Sequence, residues 1–264
     1  MSATTTPPRF AVALVNYKTE ALTRICLALL RKALAHYDAE VWVVDNDSAD
    51  GSTHYLRSLD WIHLIERTPD DQEEGYQAHG RALNLIMERS TCDYVFLMHT
   101  DTLVHDAQIF GIFLHECLAD PSVFLVGCLD QINRGTLRSA WRLTTRGLSH
   151  YTRRLKLAIG LKSKAPSTYK ETHVKSFFAL WNSRILREHK LQLLMNEQTP
   201  GYEAQDILLS CGYQRRLLSP HRIFRHLDHV EAGTISAIGG YKNGHRRLQK
   251  YNALIERYTP ATNR

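Results

Sequence analysis

Between residues 10 and 130 the chain alternates short apolar runs with longer stretches whose apolar residues recur at helical spacing, and this rhythm constrains the fold more than any other feature. The runs are FAVALVN (10–16), VWVV (41–44), WIHLI (61–65), YVFLM (94–98) and VFLVGCL (123–129). Their length and β-branched content suit buried strands. Between the first two, Leu22, Ile25, Leu29, Leu30 and Ala33 share one helical face, with Thr19 placed to cap a helix reaching about His36. Further helices are expected at about 76–89 and up to about Leu118. Strands alternating with helices at this pitch predict an α/β fold built on a mostly parallel, doubly wound sheet with short right-handed connections.

The second half is less regular. A strand is expected near VKSFFALW (174–181), with helices near 184–189, 202–211 and 242–258. No repeat and no linker separates the halves. The expected organisation is one domain over 1–264: a ligand-binding half (10–130), a basic insertion (131–175) and a second half ending in a helix (176–264).

Hydrophobic residues make up 44% of the 264 positions and charged residues 23%, which excludes long-range disorder. The apolar runs are too short to span a bilayer. The start, MSATTTPPRF, has no basic region followed by an apolar one, so no secretory signal is expected. Five cysteines (Cys26, Cys92, Cys117, Cys128, Cys211) occur without a CxxC, which suggests reduced thiols in a cytoplasmic setting and neither a disulfide scaffold nor a zinc site. The net charge is +6, but residues 134–175 hold eleven Lys/Arg against one acid, Glu171, a local charge of +10, so the rest of the chain is −4. Arg138, Arg142 and Arg146 recur every four residues, one stripe down a helix. Such a segment can meet an anionic membrane surface, nucleic acid or an acceptor, or remain a solvated lid.

Open α/β sheets bind ligands outside the carboxyl ends of their strands. Two acidic stretches fall there: DNDSADGS (45–52) after the second strand, and HTD (99–101) after the fourth. No GxGxxG and no GxxxxGK[ST] follows a strand, so the glycine cradle for phosphate is missing. A divalent cation held by a carboxylate is the alternative way to neutralise phosphate. Simpler readings stand beside this one. Asp45 can start an Asx-turn, Asp101 can cap a helix, and Glu203 with Asp206 can be a first-turn pair favoured by the helix dipole.

VALVNYKTEALTRICLALL (12–30), VWVVDNDSADGS (41–52) and EGYQAHGRALNLIMERSTCDYVFLMHTDTLV (74–104), followed more loosely by GYEAQDILLSCGY (201–213) and HLDHVEAGT (226–234), resemble family 2 glycosyltransferases. The resemblance implies the GT-A fold and transfer of a hexose-type sugar from a nucleotide-diphosphate donor, UDP-linked, to a hydroxyl of a glycan or glycolipid, with inversion. It implies that Asp45 reads the base, with Asn16 and Tyr17 beside it. It makes Asp101 the last acid of a DxD-like motif, holding Mn²⁺ or Mg²⁺, with His99 replacing the first acid and Thr100 between. Gly75, His79, Gly80, Arg81 and Asn84 lie in the segment over the donor, Arg81 as a phosphate contact. Asp206 or Glu203 is the base, Asp206 preferred. His229, in preference to His226, is a metal ligand. Two rivals remain: a module that has lost catalysis and holds an anionic polymer or membrane, and a transferase acting on DNA. A nucleotidyltransferase is disfavoured because NYKTEALT after the first strand lacks the expected glycines.

Overall fold

The computed structural model describes residues 7–18, 20–133, 135–166, 169–196, 198–230, 249, 252–253 and 255–258. In chain order the elements are β1 (Phe10–Asn16), α1 (Glu20–Ala33), β2 (Ala39–Asp45), α2 (Gly51–Arg57), β3 (His63–Glu66), α3 (Gly75–Arg89), β4 (Tyr94–His99) and β5 (Thr102–Val104). They continue with α4 (Gln108–Leu118), β6 (Val123–Gly127), α5 (Thr136–Ala158), β7 (Phe178–Asn182), α6 (Ser183–Glu188), α7 (Tyr202–Ser210), β8 (Gln214–Leu217), α8 (Pro220–Ile223) and β9 (Leu227–His229).

Seven strands form one sheet in the order β3-β2-β1-β4-β7-β6-β8, and β5 pairs with β9 in a small second sheet. β1, β2, β3 and β4 run parallel, as do β6 and β8, while β7 runs antiparallel to both β4 and β6. The expected mostly parallel sheet is therefore present, with one reversed strand at its centre. The strand runs read as continuously apolar because both faces are covered. Along β1, Phe10, Val12 and Leu14 enter the core shared with α1 and α4, and Ala11 and Ala13 enter the core shared with α3, α6 and α7. On β4, Phe96 and Met98 face the first core and Val95 and Leu97 the second.

Several boundaries differ from the sequence reading. The third strand lies two residues later than WIHLI. α1 ends at Ala33, because residues 34–37 close a turn through Tyr37 N–H donating to Leu34 O at 2.9 Å. β5, β8 and β9 are three or four residues long, too short to leave a period in the sequence. Of the expected C-terminal helix, the described residues 249, 252–253 and 255–258 are helical, and the rest of it, like the Thr19 cap, lies outside the described residues.

Candidate functional site

The register of the sheet brings the two acidic stretches together. Asn16, the last residue of β1, pairs with Asp45, the last of β2, and Val15 pairs with His99, the last of β4. Three neighbouring strands thus end at one level, on the carboxyl side where the loops diverge.

The tip of β2 is a knot of polar side chains. Asp45 is 2% exposed. Its Oδ1 accepts from Asn16 Nδ2 at 2.8 Å and from the Ser48 hydroxyl, and its Oδ2 accepts from Thr53 Oγ1 at 2.7 Å. Asn16 also donates to Ser48 Oγ (2.9 Å) and Ser52 Oγ (2.8 Å), and its own oxygen accepts from Thr23 Oγ1 at 2.6 Å. The turn expected of DNDSADGS is present. Asp47 and Ala49 take left-handed backbone (φ 53° and 49°), and Asp50 caps α2, accepting from Ser52 N–H at 3.0 Å. Asp45 and Thr53 line a cleft of about 390 Å³ with His54, Arg57, Glu66 and Arg67. Asn16, expected near the ligand, is fully buried and serves to hold Asp45. Tyr17 is 39% exposed beside this tip, with Lys18 Nζ 5.1 Å from its ring centre.

The tip of β4 has a different chemistry. One ligand-type atom from each of His99, Asp101 and His229 lies within 4.8 Å of the others, the one group of three metal-ligating side chains found among the described residues. Asp101 Oδ1 is 3.3 Å from His229 Nε2 and 3.7 Å from His99 Nδ1. His229 is delivered by β9 pairing on β5, with Thr102 opposite His229 and Val230 N–H donating to Asp101 O at 3.0 Å. Its Nδ1–H donates to the Gln131 carbonyl at 2.9 Å, which fixes the ring with Nε2 toward Asp101. His99 is oriented by Ser176 Oγ at 3.0 Å from Nε2. Burial pushes the His99 imidazole down to about 3 against the opposing pull of the Asp101 charge, which keeps the ring neutral at neutral pH, with one N–H and one lone pair. His79 stacks edge-on against His99, with ring centres 5.4 Å apart, and burial lowers it to about 4. Its Nε2 is buried with no hydrogen-bond partner among the described residues. A carboxylate with two imidazoles suits a divalent transition metal. Thr100 is buried between the two ligand positions. His226, the competitor to His229, is used elsewhere: its Nδ1 meets Asp106 Oδ2 at 2.7 Å.

The segment between the tips is braced by Glu73. Arg67 Nη2 donates to both its oxygens at 2.5 and 2.6 Å, and Arg81 Nη1 lies 3.3 Å away. The Arg67 pair holds the Glu73 carboxyl below its ordinary range, against the effect of burial. Arg81 remains half-exposed, and Gly75 opens α3 with open space around it. Gly80 allows a close approach: a Cβ there would meet Pro200 Cγ at 2.7 Å and Leu194 Cβ at 2.8 Å. Asn84, expected over the ligand, instead ties down that same segment, its Oδ1 accepting from Leu193 N–H (2.8 Å) and Leu194 N–H (3.2 Å).

The two candidate bases are placed differently. Asp206 has 65% of its side chain exposed and meets His173 Nε2 at 3.0 Å, a ring stacked on Tyr202 at 4.2 Å. Glu203 accepts from Asn196 Nδ2 at 2.7 Å through Oε1, while its buried Oε2 has no partner among the described residues. Gly201 sets the start of α7, with φ +81° and Trp181 against it. Sequence reading missed Ser176, Gln131 and Glu73. Ser176 and Gln131 hold site residues from distant parts of the chain, which no local pattern marks, and Glu73 works through the fold of the loop between β3 and α3.

The family model for glycosyl transferase family 2 matches residues 11–186. No curated protein matches the chain. Among solved structures, the mannosyltransferase PcManGT from Pyrobaculum calidifontis, in complex with GDP-Man and Mn²⁺, matches with TM-score 0.57 and 18% identity over 81% of this chain and 55% of that one. TarS 1–349 from S. aureus matches with TM-score 0.48 and 14% identity, covering 80% of this chain and 58% of that one. Glucosyl-3-phosphoglycerate synthase from Mycobacterium tuberculosis, in complex with Mn²⁺, UDP and glucosyl-3-phosphoglycerate, matches with TM-score 0.48 and 14% identity, covering 89% of this chain and 82% of that one. The chain thus spans a little over half the length of the first two, and the first likeness carries the GT-A fold expected from the sequence.

Proposed function

The chain belongs to glycosyl transferase family 2, and from that premise we propose that it transfers a sugar from a nucleoside-diphosphate donor, UDP-linked, to a hydroxyl acceptor with inversion. The observation that carries the reading is the His99–Asp101–His229 cluster one strand away from the Asp45 cleft. A donor lying across the β1 tip meets a carboxylate at one end and a cation site at the other.

Each end has a task. Thr53 takes one lone pair of Asp45 Oδ2 and leaves another, which suits the imide N–H of uracil. His99, Asp101 and His229 would hold the cation, and two imidazoles favour Mn²⁺ over Mg²⁺, which prefers oxygen donors. When bound, such an ion stabilises charge developing on the departing diphosphate. Arg81, half-exposed and steadied by Glu73, would meet a phosphate with the rest of its guanidinium. Glu203 is the better base, because Asn196 fixes one oxygen while the other is buried with no partner among the described residues to compete for a proton. Asp206, on the surface beside His173, is the second choice.

Thermal shift with UDP and GDP, each with and without Mn²⁺, tests the donor reading. A rise specific to UDP with Mn²⁺ is expected. A rise with GDP alone would overturn the choice of base, and no rise with either would overturn the donor reading. Sugar transfer in Glu203→Gln at the rate of the parent chain would move the base elsewhere.

A further inference from the structure

α5 carries its apolar side outward. Leu137 (86% exposed), Trp141 (72%), Leu148 (67%), Tyr151 (56%) and Leu155 (63%) are spaced by four, seven, three and four residues, so they share one face of a helix about 34 Å long. The inner side is the polar one. Arg146 Nη1 reaches Glu171 at 3.2 Å, and Arg142 lies 3.7 Å from Glu171 and 3.9 Å from Asp130. The cationic stripe read from the sequence is therefore partly turned toward the body, and leucine and aromatic side chains take the outer face. A soluble helix normally shows the reverse arrangement.

We propose that α5 lies on the surface of a bilayer containing anionic lipid, with the Leu137–Leu155 face among the acyl chains and the cations outside the Glu171 pairing, Arg138, Arg153, Arg154 and Lys156, at the headgroups. The charge selects this occupant. α5 has no acid and six cations, Arg138, Arg142, Arg146, Arg153, Arg154 and Lys156. Pairing with a second copy would bring two such helices side by side with no opposite charge between them. Nucleic acid would satisfy the cations and leave the leucines in water. An anionic bilayer satisfies both, and Trp141 and Tyr151 have the amphipathic rings that settle at the interface. The helix lies on the surface and does not span, since no helix among the described residues is long and apolar enough to cross a membrane. α5 is also linked to the candidate site: Glu171, which takes Arg146, also takes Lys175 at 3.0 Å, the neighbour of the Ser176 that orients His99. The inference holds whether or not the chain transfers sugar, because it is read without turnover.

The test is sedimentation of the full chain with vesicles of phosphatidylcholine, or of phosphatidylcholine mixed with phosphatidylglycerol, at low and high salt. Binding to the anionic vesicles about tenfold or more above the neutral ones, weakened by salt, is expected. Trp141→Ser with Leu148→Ser and Leu155→Ser should lower it at least about tenfold at an unchanged thermal midpoint, and Trp141→Ser alone should lower it partly. Arg153→Ser with Arg154→Ser should reduce the preference for anionic lipid. No sedimentation with anionic vesicles overturns the inference, as does full binding by the serine variants. It is overturned equally by a dimer in light scattering that the triple variant converts to monomer, or by binding to duplex DNA or RNA that displaces the chain from vesicles and survives in the triple variant.

Discussion

The tips of β2 and β4 flank the same strand and each buries an aspartate, yet they treat it in opposite ways. Asp45 and Asp101 are 2% and 6% exposed. Asp45 is surrounded by donors, the Asn16 amide and the Ser48 and Thr53 hydroxyls. Asp101 shares its space with His99 and His229, whose ring nitrogens are directed by Ser176 and Gln131. A carboxylate among hydroxyl and amide donors is stable as it stands and makes a rigid wall. A carboxylate facing two imidazoles gathers metal-ligating groups, an arrangement that suits a cation. Burial alone therefore says little about role. What surrounds the carboxylate decides it.

The largest effect that separates the tips is on transfer. Asp101→Ala should lower the transfer rate by about 10³-fold and abolish the part of the UDP thermal shift that depends on Mn²⁺. In metal-free buffer the same variant should unfold within about 1 kcal/mol of the parent chain. A variant that simply unfolds would make Asp101 as structural as Asp45. Next comes stability at the other tip. Asn16→Ala leaves Asp45, Ser48, Ser52 and Thr23 short of a buried partner, and urea denaturation without any ligand should register a loss of about 2–3 kcal/mol.

The brace between the tips gives a smaller, pH-dependent effect. Glu73 titrates below its ordinary value of 4.5 because of Arg67, so its contribution is fully present above that pH and is lost as pH falls through the lowered value. Glu73→Gln should cost about 2 kcal/mol near neutrality, and the fall in stability between pH 5 and pH 3 should be shallower than in the parent. An unchanged pH profile would remove Glu73 as the brace. The smallest effect sharpens the β4 tip: Ser176→Ala releases His99 Nε2 and should weaken Mn²⁺ binding about tenfold, read by titration of the metal-dependent thermal shift.

Much of the sheet was legible from the chain alone. The runs at β1, β2, β4 and β6 are apolar throughout because residues on both faces are buried, and such runs stand out without partners. β5, β8 and β9 were not legible, because three or four residues carry no period of their own and exist through pairing. The reversed direction of β7 was equally hidden, since antiparallel and parallel strands buried on both faces have the same composition.

The sequence by itself determined the longer strands of the main sheet and that Asp45 and Asp101 stand at or just after strand ends, since both follow from local apolar length and from where it stops. It also determined that one segment is heavily cationic. The sequence preferred His229 to His226, but only the tertiary structure showed why His229 lies beside Asp101: a β5–β9 pairing across more than a hundred residues sets which ring reaches it. Only the structure put Asp206 on the surface and gave Glu203 a buried oxygen, and only it turned the apolar face of α5 outward. A helical pattern fixes which residues share a face, but which way that face points depends on what the rest of the chain packs against it.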